Sequence, residues 1–249
     1  MTTTSEKLLT IAENVKKTYD AGMRDEYNNF WDNVFHKNDD SSFTYSYMFA
    51  GAGWNDNTFK PTHDIKPIGW VGSIFYWSHI SDLTACLAAN NVHIILPTQG
   101  SVTVQLPSLF QNCSKLVHVP ELNLSKCINC NNMFYDCTKL KTIDGIIFSK
   151  ETTGFNQMFY NCKSLTNCVV SGILSESLDL SSCITLDKPS IISFINILSD
   201  TVTDKILTLS KTAVNIAFNI NIDDQTTYPE GSEYYNLVNS KPNWSIAYK

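Results

Sequence analysis

Cys127 and Cys130 stand three residues apart in Cys127-Ile-Asn-Cys130, a spacing at which two thiols can share a metal ion or exchange a disulfide. A structural zinc site needs four ligands, and no second Cys-x-x-Cys or His-x-x-x-His lies near this pair. Cys130 is therefore read as core filling and Cys127 as a surface residue, with no metal and no cofactor expected. The five histidines, His36, His63, His79, His93 and His118, sit in unrelated local settings. Thr62-His63-Asp64 places a base beside a carboxylate, but no Gly-x-Ser-x-Gly elbow accompanies it. Asp39-Asp40 and Asp223-Asp224 lack the Gly-containing spacing of a calcium loop. Gly51-Ala-Gly53 lacks the strand, helix and third glycine of a phosphate cradle. No residue is assigned a catalytic role, and the chain is expected not to be an enzyme.

The bulk properties point the same way. With 43% apolar, 12% aromatic and 17% charged residues, the chain has the composition of an ordered protein. A net charge of −6 argues against a general nucleic-acid or anionic-membrane binder, which needs clustered Lys and Arg. No stretch approaches the eighteen or so apolar residues of a spanning helix. The start, Met1-Thr-Thr-Thr-Ser-Glu-Lys7, lacks the basic end and apolar run of a signal peptide, which predicts folding in a cytoplasm.

The positions of the cysteines say more than their number. Ser108-Leu-Phe-Gln-Asn-Cys-Ser-Lys-Leu116, Asn132-Met-Phe-Tyr-Asp-Cys-Thr-Lys-Leu140 and Gln157-Met-Phe-Tyr-Asn-Cys-Lys-Ser-Leu165 are three copies of one unit. Phe110, Phe134 and Phe159 lie 24 and 25 residues apart, and Cys113/Cys137/Cys162 and Leu116/Leu140/Leu165 keep the same step. A period in the twenties fits one coil of a leucine-rich-repeat solenoid. Inside each unit, Leu106/Leu109/Phe110/Cys113, Cys130/Met133/Phe134/Cys137 and Phe155/Met158/Phe159/Cys162 fall at i, i+3, i+4 and i+7, which predicts a two-turn helix. A turn follows each Cys, then a short strand with Leu116/Val119, Leu140/Ile143 or Leu165/Cys168 inward. Predicted repeat core residues are thus Leu109, Phe110, Cys113, Leu116, Met133, Phe134, Cys137, Leu140, Met158, Phe159, Cys162 and Leu165.

Less regular coils flank these. Upstream, Val71, Ile74, Phe75 and Ser78 carry the stripe with Ser for Cys, followed by a predicted helix over 81–89 and a strand over 92–96. Downstream, Leu178–Ser181 and Ile206–Ser210 read as further rungs. Between them a helix over Pro189–Leu198 is expected, with Asp187 as its N-cap, and Asn243–Tyr248 is expected to close the stack. The fold class is α/β: a short solenoid with longer C-terminal coils, preceded by an N-terminal amphipathic helix. Leu8, Ile11, Val15 and Tyr19 share one face of that helix, whose pattern Gly22 interrupts and Tyr27, Phe30, Trp31 and Val34 resume over 5–35. It packs on its own domain or serves attachment or oligomerisation. Phe43, Tyr45, Tyr47 and Phe49 alternate as one face of a strand suited to capping the first coil. Three regions result: an N-terminal helix over 1–40, an aromatic strand and linker or cap over 41–67, and the solenoid with its capping coils over 68–249.

The signature Met-Phe-Tyr-Asn/Asp-Cys-x-x-Leu at 133–140 and 158–165 resembles the BspA-like leucine-rich repeats of bacterial surface proteins, gut Firmicutes and their phages. Ala12–Gly22, Glu26–Asp32, Gly53–Pro61 and Thr227–Leu237 look like segments of phage-type or prophage-type proteins. The resemblance implies recognition or adhesion without catalysis. A virion component (tail, baseplate or fibre) is expected first, and a bacterial cell-surface or secreted adhesin second. Expected partners are other virion or cell-surface proteins, a host surface protein or a polysaccharide, with a homo-oligomer through the N-terminal helix. The outward strand residues Val117, His118, Lys141, Thr142, Thr166 and Asn167 form the candidate binding face.

Overall fold

A chain whose apolar pattern returns every 24 or 25 residues must pass the same point repeatedly, and the computed structural model, which describes residues 69–70 and 104–249, shows it doing so as a parallel β-solenoid. β1 (Gly69–Trp70), β2 (Val104–Gln105) and β5 (Cys127–Asn129) form one sheet in the order β1-β2-β5. In the second sheet, β6 (Thr142–Phe148) lies between β7 (Asn167–Gly172) and the pair β3 (His118–Val119) and β4 (Leu122–Asn123). The third sheet runs β10-β9-β8, from β8 (Leu178–Leu180), β9 (Lys205–Leu209) and β10 (Trp244–Tyr248). Every one of these pairings is parallel, as successive coils of one handed path require. β7 ends at Gly172 with φ 90°, where a Cβ would lie 2.1 Å from the Phe148 carbonyl oxygen, so only glycine closes that strand.

The two-turn helix expected in each repeat is not there. The chain instead runs through consecutive four-residue turns. The N–H groups of Met133, Tyr135, Cys137 and Leu140 donate to the carbonyls of Cys130, Asn132, Phe134 and Cys137 at 3.1–3.2 Å. Residues in the left-handed region recur four apart: Ser108 and Asn112, Asn132 and Asp136, Gln157 and Asn161, all with φ between 52° and 63°. A positive φ at the third position is what a type II turn needs, and Asn and Asp tolerate it best. Such a run buries i, i+3, i+4 and i+7 just as a helix would, so periodicity alone cannot separate the two.

The turn run differs from a helix in where its donors go. Ser108, Phe110 and Asn112 donate to Asn131, Met133 and Tyr135 of the next coil, and Asn132, Phe134 and Asp136 donate to Asn156, Met158 and Tyr160 of the one after. A helix would spend those N–H groups on its own carbonyls. The turns thus continue the ladder around the bend.

Inside, like residues stack in columns. The Phe110, Phe134 and Phe159 rings follow one another at 5.5 Å with interplanar angles of 9° and 17°. Phe194 ends the column edge-on to Phe159, at 6.2 Å and 85°. All twelve predicted core residues are buried.

The C-terminal coils are built otherwise. α1 (Lys188–Asn196) starts at Asp187, whose carboxylate accepts the Ser190 N–H at 3.0 Å, with Pro189 in its first turn. It packs against β7. Its serines meet the strand: Ser190 Oγ accepts from Cys168 N–H at 2.9 Å, and Ser193 Oγ from Val170 N–H at 3.0 Å. Two helices not expected from the sequence follow, α2 (Lys211–Phe218) and α3 (Glu233–Asn239), capped by the side chains of Ser210 and Ser232. β10 closes the stack on β9, with Trp244 Nε1 donating to the Ser199 carbonyl at 2.8 Å. The predicted N-terminal helix over 5–35, aromatic strand over 43–49, stripe at Val71–Ser78, helix over 81–89 and strand over 92–96 lie outside the described residues.

Candidate binding face

The β3–β6–β7 sheet aligns the outward side chains the sequence singled out. Parallel pairing puts His118 beside Thr142 and Thr142 beside Asn167. One residue earlier, the backbone alone makes a second row: Lys141 N–H donates to Val117 O at 2.8 Å, Thr166 N–H to Lys141 O at 2.9 Å, and Asp187 N–H to Thr166 O at 2.8 Å. Lys141 and Thr166 are exposed; His118, Thr142 and Asn167 are half-buried. Thr166 Oγ1 also donates to Lys141 O at 2.9 Å.

Two carboxylates join this face that the sequence reading did not place there. Asp144 Oδ1 lies 2.7 Å from His118 Nε2, with side-chain exposures of 53% and 23%. Asn167 Nδ2 donates to Asp187 Oδ2 at 3.3 Å. Asp144 was findable, because strand alternation puts it on the same side as Thr142, two residues before it. Asp187 was not, because it reaches the face from the start of α1. The patch offers hydroxyl, amide, imidazole, ammonium and carboxylate groups in parallel rows. These groups can hydrogen-bond to a polar partner.

The thiols lie elsewhere, in the core. Cys137 Sγ donates to Phe110 O at 3.0 Å and Cys162 Sγ to Phe134 O at 3.1 Å. The same carbonyls already accept the N–H of Cys113 and Cys137, so each thiol occupies a second lone pair one coil back. Burial pushes the Cys137, Cys162, Cys168 and Cys183 thiols well above the ordinary range, which keeps them neutral and unreactive. Cys127, expected at the surface, is fully buried: β5 pairs with β2, and Cys127 faces inward beside Val104. Among the described residues no group of three or more His, Cys, Asp or Glu side chains could hold a metal ion. No described helix is long and apolar enough to cross a membrane. Compared with family models, with curated proteins and with solved structures, the chain finds no match in any of the three.

Proposed function

We propose that the chain is a non-enzymatic recognition protein of a phage or prophage virion, a tail, baseplate or fibre component. Its solenoid is of the BspA-like leucine-rich-repeat type, and residues 1–40 attach it to the particle. The observation that carries the reading is the register of the β3–β6–β7 face. Polar side chains of successive coils stand in straight rows on a backbone whose hydrogen bonds are closed from coil to coil. Such a surface is pre-organised, so a partner with regularly spaced polar groups, a surface protein or a polysaccharide, is bound at little ordering cost. The repeat signature at 133–140 and 158–165 supports the same reading. Mass spectrometry of gradient-purified virions from an induced host should find the chain in the particles. Its absence from particles, with recovery in the cell-envelope fraction, would overturn the virion reading in favour of a host adhesin.

A further inference from the structure

The Cys127–Cys130 pair is used neither by the cysteine column nor by the binding face. The two Sγ atoms lie 3.1 Å apart, and Cys127 Sγ also lies 3.3 Å from the Asn129 carbonyl oxygen, to which it donates. The column thiols Cys137 and Cys162 are held against carbonyls of the preceding coil, whereas here a thiol meets a thiol. A disulfide needs about 2.0 Å between sulfurs, so closure asks for a shift of about 1 Å. Neighbouring coils do not repeat the pair: β5 meets Val104 on one side, and Thr152 Oγ1 donates to the Cys127 carbonyl on the other.

We propose that Cys127 and Cys130 are a thiol–disulfide modification site, which exchange with a low-molecular-weight disulfide converts to an intramolecular bond inside the coil. The roles of the two sulfurs differ. The hydrogen bond from Cys130 holds Cys127 below the ordinary thiol range, and burial pushes Cys130 above it. Cys127 also lies in β5, the strand that opens, whereas Cys130 follows it, so Cys127 is the attacking sulfur. As a thiolate it displaces one half of the reagent, forming a mixed disulfide and releasing a thiolate that takes up a proton. Cys130 then loses its proton, attacks the Cys127 sulfur and releases the second half as thiol. The balance is two protein thiols and one disulfide going to one protein disulfide and two small thiols, with two electrons passing to the reagent. Both sulfurs are buried, so attack follows local opening of the three-residue strand β5. The loop closed holds only Ile128 and Asn129, so the bond constrains the unfolded chain little and stays reversible.

The test is to incubate the full folded chain with glutathione disulfide at neutral pH, quench in acid, alkylate in denaturant and digest with trypsin. Cleavage after Lys126 and Lys139 releases residues 127–139, which carry Cys127, Cys130 and Cys137. The expected peptide is lighter by two hydrogens and alkylated at Cys137 alone, and it reverts with excess glutathione. Cys130→Ser should stop at the glutathione adduct on Cys127, and Cys137→Ser should still close the bond. Should the Cys130 variant fail to fold, the wild-type peptide decides unaided. A wild-type chain that stops at the mixed disulfide, or that reacts only when unfolded, overturns the proposal.

Discussion

The turn-built coils through Leu165 and the helix-bearing coils after Asn167 solve one problem in two ways. In the first region the first two bends each donate every second N–H to the following coil, so one coil is a template for the next. In the second, α1 closes its hydrogen bonds internally and has no carbonyls to offer β7. Ser190 and Ser193 stand in, their hydroxyls accepting the N–H groups of Cys168 and Val170. The difference teaches how the stack changes its build: α1 satisfies its own backbone and meets β7 with side chains, while β8, β9 and β10 carry the parallel pairing on beyond it.

The largest test of this contrast is alkaline. Burial raises the folded-state pKa of the Cys137, Cys162, Cys168 and Cys183 thiols, so the folded chain holds protons that the unfolded chain gives up. That stability is complete below the unfolded thiol pKa of about 8.5 and is lost as pH rises above it, at about 1.4 kcal/mol per pH unit for each thiol ionised in the unfolded chain. Urea melts in reductant between pH 7 and 10 should show the fall, and Cys137→Ala should flatten the slope by one thiol. A flat profile would mean that the column is not buried.

Phe134, stacked on both sides, comes next: Phe134→Ala should cost about 3–5 kcal/mol in urea unfolding. A loss under about 1 kcal/mol would contradict the ring column. Ser190→Ala should cost about 1–3 kcal/mol, because the Cys168 N–H is left buried with no acceptor. If it costs nothing, the serine is not the acceptor described.

A smaller effect separates turn from helix by sign. Gln157 is exposed at φ 52°, so Gln157→Gly should be neutral or stabilise by up to about 1 kcal/mol, through relief of the left-handed strain. In a helix the same change would destabilise by roughly that amount. The smallest effect belongs to the surface: Asp144→Asn should alter stability by less than about 1 kcal/mol, since its pairing with His118 is half in water.

The repeat, its register and its inward residues were legible because burial imposes the same side-chain type at the same step in every coil. The local conformation was misread, since a turn run and a helix bury the same four positions. The discriminating signal was present in the polar residues Asn112, Asn132, Asp136 and Asn161, whose types favour positive φ and which a helix would not require. Pro107 also suits the second position of a turn. α2 and α3 escaped notice because they bury little, only Ala213 and Val214 in one and Tyr234 in the other, so neither carries an inward stripe. Cys127 was misplaced because β2 and β5, two and three residues long, are too short to show alternation. On the candidate face the rows followed from strand parity, whereas Asp187 arrived through tertiary packing that no local spacing encodes.

The serine cap has a consequence for how such chains diversify. Ser190 and Ser193 accept N–H groups that any strand of any coil would present, and Phe194 meets a ring that each of the three repeat units supplies. Unequal recombination that duplicates or deletes one 25-residue segment would therefore hand the cap an equivalent docking edge. A longer or shorter stack would keep the same contact with α1.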